Sequence, residues 1–128
     1  MSIALWCVLV AGMLPYLGTA FAKWGFKDFD NNNPRQWLAN QTGFRARGNA
    51  AQANSFEAFP LFAAAVFTAI FTQAPQGAIN CLACIFVFSR IFFIVCYVTD
   101  KPALRSICWT VGIACAIGLF VVSGLYAH

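Results

Sequence analysis

Four long runs of nearly uncharged residues dominate this chain and leave little choice of fold. They cover residues 3–22, 52–73, 78–98 and 106–127. A helix needs about 20 apolar residues to cross a hydrocarbon core, whereas a spanning strand needs about 10 in strict alternation. These runs are continuous rather than alternating, so their backbone polar groups can be satisfied only within helices. The sequence predicts an all-α membrane protein: one domain, residues 1–128, built as a four-helix bundle of up-down topology.

Composition agrees. Of the 128 residues 61% are hydrophobic and 9% charged, against about 25% charged in soluble domains. Soluble globular, disordered and nucleic-acid-binding readings are excluded. The first run ends in Ala20-Phe21-Ala22, a small-residue pattern of the kind found at signal cleavage sites. No basic residue precedes Lys23, so the run is expected to be retained as a helix.

Charge sets the expected orientation. Lys23, Lys27, Arg35, Arg45 and Arg47 lie in or beside the first loop, and Lys101 and Arg105 in or beside the third. The second loop has no charge. Loops one and three are therefore expected on the cytoplasmic side, with the termini outside. Trp6, Trp24, Trp37 and Trp109 read as interfacial anchors, and the Phe-rich stretch 86–93 as lipid-facing and subunit packing.

The informative residues are those that break the apolar rule, because a charge at mid-span costs about 2.5–3.5 kcal/mol on insertion scales and tends to be paired or functional. Asn54 and Glu57 lie at the cytoplasmic end of the second run, preceded by Arg47. Arg90 and Tyr97 lie in the same leaflet on the third, and Arg105 opens the fourth. Arg47 and Asn54 are seven apart, as are Arg90 and Tyr97. At 100° per residue that spacing returns to within about 20° of the same face. Asn80 alone belongs to the other leaflet. An ion pair between Glu57 and Arg90 would explain those two residues alone. Three arginines against one carboxylate describe an anion site. The six cysteines, including the Cys81-x-x-Cys84 pair, read as small packing residues, and no metal site can be assembled from them.

The segment R-A-R-G-N-A-A-Q-A-N-S-F-E-A-F-P at residues 45–60 resembles the second-helix signature of the MAPEG family, the membrane-associated proteins in eicosanoid and glutathione metabolism. Its core N-x-x-E-x-x-P is Asn54, Glu57 and Pro60. Arg90, Tyr97 and Arg105 are similar to the arginine and tyrosine of the family's third helix and the arginine opening its fourth. The Asn31-Asn-Asn-Pro-Arg35 loop looks most like the bacterial branch, which implies a bacterial inner membrane.

The resemblance implies a homotrimer with a glutathione site between protomers near the cytosolic face, and a lipophilic electrophile arriving from the membrane lipids. It assigns thiol binding to Arg47, Asn54, Glu57, Arg90 and Tyr97, and thiol activation to Arg105, with glutathione as co-substrate and no metal. Ala50, Ala58 and Phe93 stand where relatives can carry Arg, Tyr and Tyr, and each removes a polar contact. Two other classes compete: a non-catalytic member that binds lipid or scaffolds a partner, and a proton-coupled drug exporter. The exporter needs a membrane glutamate in its first helix, and the first run has no acid.

Overall fold

The computed structural model describes residues 1–24 and 28–127. Lys27, counted above in the first loop, and His128 lie outside the described residues. The elements in chain order are α1 (Ile3–Ala22), α2 (Pro34–Ala39), α3 (Gly43–Phe71), α4 (Gln76–Val98) and α5 (Pro102–Tyr126). There is no strand among the described residues. α1, α3, α4 and α5 are each long and apolar enough to cross a membrane.

Two tight turns end the apolar helices. After α3, Gln73 takes φ +58°, its N–H bonds to the Ile70 carbonyl, and Ala74 N–H reaches back to the Ala69 carbonyl. After α4, Asp100 takes φ +60°, bonding to Tyr97, while Lys101 N–H bonds to Cys96. Both are Schellman caps, which satisfy the orphan carbonyls of a helix end. Pro75 follows as the residue that precedes α4, and Pro102 as the first residue of α5. At the other end of the bundle from the α4–α5 turn, α1 begins with Ser2 Oγ accepting from Leu5 N–H. Asn80 Oδ1 accepts from Ala4 N–H at 3.1 Å. Asn80, the polar outlier of its leaflet, is thus a cap supplied by a neighbouring helix.

α3 differs from its apolar run. It starts at Gly43 rather than near 52 and runs for 29 residues, about 44 Å at 1.5 Å per residue, against about 30 Å of hydrocarbon. Hydropathy marks where a helix enters lipid, not where it starts. Consequently Arg45 and Arg47 ride on the same helix as Asn54 and Glu57. The first loop also contains α2, whose buried Trp37 and Leu38 pack on Ala22 and Phe29.

α1 packs against α3 and α4, α5 packs against α4 and α3, and α3 touches α4 across the middle. Small residues let α1 come close: its buried positions are Ala4, Cys7, Ala11, Leu14, Pro15, Gly18 and Ala22. A Cβ added to Gly18 would stand 2.7 Å from the Gln52 backbone nitrogen, and one on Gly48 2.7 Å from that of Ala22. Backbone thus meets backbone, the usual basis of helix association in lipid. Towards the opposite end, Phe62 and Phe86 stack with centroids 3.9 Å apart.

Candidate functional site

The α3–α4–α5 side of the bundle is hollow where the polar residues lie. A cavity of about 270 Å³ is lined by Asn54, Glu57, Ala58 and Leu61 of α3, Phe86 and Arg90 of α4, and Trp109, Ile113 and Ala116 of α5. A second, of about 460 Å³, is lined by Asn54, Phe93, Tyr97, Arg105, Ser106, Trp109 and Thr110. Asn54 and Trp109 belong to both, so the hollows share a wall. Each is of the size that takes a small molecule or a large part of one.

Arg90 is the centre of the first. It is 3% exposed, and its Nη2 donates to Asn54 Oδ1 at 2.7 Å and to Ser55 Oγ at 3.5 Å. Its guanidinium carbon lies 4.1 Å from the centroid of the Phe93 ring. Gly112 makes room for it, since a Cβ there would sit 3.5 Å from Arg90 Cδ and 3.1 Å from Ser89 Oγ. Glu57 shares the cavity but forms no ion pair with Arg90 among the described residues. The ion-pair explanation of these two residues is therefore not what the structure has. The guanidinium carries five N–H donors, and both of its bonds are made through Nη2 to neutral partners. A buried cation without a carboxylate partner favours an anion brought from outside.

Arg105 commands the second cavity. Its guanidinium stands 4.5 Å from the Tyr97 ring centroid, and Tyr97 meets Phe93 edge-on at 5.6 Å. One face of the site is thus a chain of cation, ring, ring, cation: Arg90, Phe93, Tyr97, Arg105. A cation on a ring face gains about 0.5–2 kcal/mol, more when dry, so the rings hold both guanidiniums without neutralising them.

The sequence-derived residues separate into two groups. Asn54, Glu57, Arg90, Tyr97 and Arg105 line the two joined cavities. Arg47 does not: its Nε donates to the Val98 carbonyl at 3.1 Å, so it ties α3 to the end of α4. Three participants escape the sequence reading. Ser55 is one hydroxyl among many, Phe93 reads as part of a lipid-facing and subunit-packing stretch and as the lack of a tyrosine, and Trp109 reads as an anchor. Gln52 lies outside the site: its Oε1 is buried with no hydrogen-bond partner among the described residues, beside a hollow of about 310 Å³ on another side of α3 that Arg35 and Asn49 also line. The Phe-rich stretch divides: Phe88 and Phe92 face outward, whereas Phe86 and Phe93 are buried and line the cavities.

No group of three or more His, Cys, Asp or Glu that could hold a metal ion occurs among the described residues. No curated protein and no solved structure matches the chain. The family model that does match covers residues 3–125, and the chain belongs to the MAPEG family.

Proposed function

We propose that this protein is a membrane-bound thiol transferase, with peroxidase chemistry open to it, that joins glutathione or another small thiol to a lipophilic electrophile. The family includes glutathione transferases. The observation that carries the reading is Arg90: a buried guanidinium held by neutral groups beside a cavity, with a second arginine in the adjoining hollow. Asn54, Glu57, Arg90 and Tyr97 bind the thiol compound, Arg90 meeting a carboxylate and Glu57 a cationic amine. Arg105 meets the sulfur. A free thiol of pKa about 8.5 is only a few per cent thiolate at neutral pH, and the thiolate is the nucleophile. A guanidinium stays charged in such a site and favours the anion. The apolar wall of Leu61, Phe86, Trp109 and Ile113 receives the electrophile. The thiolate attacks the electrophilic carbon: the C–S bond forms as the leaving group departs with its bonding pair, the thiol's proton having gone to water, and Arg105 holds the charge on sulfur until that bond forms.

In this reading three copies assemble in a bacterial inner membrane, with the end that carries the α1–α3 connection and the α4–α5 turn facing the cytoplasm. Arg47 holds the frame of the site rather than the thiol compound. The decisive experiment is a glutathione titration of the detergent-purified protein followed by thiolate ultraviolet absorbance. Wild type shows thiolate at neutral pH and Arg105→Ala does not; equal thiolate in both would remove Arg105 from the role.

One observation favours a second reading. Ala58 lines the cavity at a position where relatives can carry Tyr, so a polar contact is missing where it would count. A non-catalytic member that binds lipid or scaffolds a partner fits that loss. It predicts an intact oligomer with no thiolate and no thermal protection by glutathione.

A further inference from the structure

All six cysteines are free thiols, and none lines either cavity. One pair stands out: Cys84 of α4 faces Cys7 of α1 with the sulfurs 3.8 Å apart. Packing asks only for small side chains, which alanine and glycine supply elsewhere in these interfaces; it does not ask sulfur to face sulfur.

The Cys7–Cys84 pair is the most closely apposed. Ala4, Ala11 and Ala83 surround it in the same buried cluster, so the helices approach closely enough for two short side chains to meet. The two thiols differ in access: Cys7 is 8% exposed, while Cys84 is only half-buried. Beside Cys84, the exposed face of α4 carries Cys81, Ile85 and Phe88 and no charge. A charged disulfide in water has no polar route across that face, and a neutral lipophilic molecule in the bilayer has an apolar one.

We propose that Cys7 and Cys84 form an oxidisable dithiol that reduces lipophilic hydroperoxides. The Cys84 sulfur attacks the outer peroxide oxygen, the O–O bond breaks, and the alkoxide leaves as an alcohol with the thiol's proton. Cys84 becomes a sulfenic acid. The Cys7 sulfur then attacks Cys84 sulfur, the S–O bond breaks, and water leaves with the proton of Cys7. Two thiols lose two electrons and the peroxide gains them, yielding one disulfide, one alcohol and one water. The more accessible sulfur reacts first, and the enclosed one, 3.8 Å away, stands ready to resolve the sulfenic acid. The disulfide joins α1 to α4 at the end of the bundle away from Arg105.

The test uses the protein in phosphatidylcholine vesicles treated with cumene hydroperoxide, then denatured, alkylated and mapped by mass spectrometry. Wild type loses two thiols per chain, gives a cross-linked peptide pair containing Cys7 and Cys84, and forms one cumyl alcohol per cross-link. Cys7→Ser stops at a Cys84 sulfenic acid that dimedone traps, and Cys81→Ser keeps the cross-link. Recovery of both Cys7 and Cys84 as alkylated thiols, or oxidation confined to Cys81, would overturn the proposal. So would oxidised glutathione forming the cross-link as fast as the hydroperoxide does.

Discussion

Arg90 is costly to keep where it stands, and that cost makes its role measurable. Its buried guanidinium has hydrogen bonds to Asn54 and Ser55 and a ring face from Phe93, but no carboxylate partner among the described residues. A buried charge with no ionic partner bears a desolvation cost that an apolar residue of similar volume does not. We therefore expect Arg90→Met to leave thermal stability in detergent unchanged or raised by up to about 2 kcal/mol, while protection by glutathione disappears. A purely structural Arg90 would instead lower stability together with binding. Trp109, shared by both cavities, separates the functions differently. Trp109→Ala is expected to raise KM for the lipophilic substrate about tenfold, an apolar contact of about 1.4 kcal/mol, with thiolate formation retained. At this scale the sequence was legible where a polar residue interrupted an apolar run, as at Asn54, Glu57, Arg90, Tyr97 and Arg105. It placed Phe93 in a lipid-facing and subunit-packing stretch and Trp109 at an interface, because an aromatic residue in a membrane helix has the same local signature whether it faces lipid or a guanidinium.

The helices stand on two devices of different kinds. One is the backbone-close crossing of α1 and α3 at Gly18 and Gly48. Gly48→Ala places its Cβ against main chain rather than a flexible side chain, and overpacking of this kind costs about 1–3 kcal/mol. A lowered melting temperature in detergent, with less change for Gly124→Ala where no atom lies within 4 Å, is the expected result. The other is the pair of Schellman caps. Gln73 holds a left-handed conformation that glycine adopts without strain, so Gln73→Gly is expected to gain about 0.5 kcal/mol, read from the same unfolding curve. Apolar run length marked these helices well in sequence. The start of α3 was not marked, because the residues between Gly43 and the apolar run form helix without being hydrophobic.

For the whole molecule, the described basic side chains in the connections or in the helix ends beside them, Lys23, Arg35, Arg45, Arg47, Lys101 and Arg105, gather at one end, while the α3–α4 turn has none. Such asymmetry sets topology in membranes. We expect Gln73→Cys to react with a membrane-impermeant maleimide added to intact cells, and Asp100→Cys to react only after permeabilisation; the reverse pattern would invert the orientation. The number of helices able to cross a membrane and the end of the bundle at which each polar residue lies were legible in the sequence itself, since insertion into lipid depends on apolar length and charge, both local properties. Which polar groups meet was decided only by the tertiary structure. Arg47 and Asn54 share a helical face by spacing, yet Arg47 caps α4 and Asn54 holds Arg90. Glu57 and Arg90 have complementary charges, yet Arg90 takes neutral partners. Side-chain partnership depends on how helices cross and where glycine lets them close, and that is a property of packing between segments, not of any one of them.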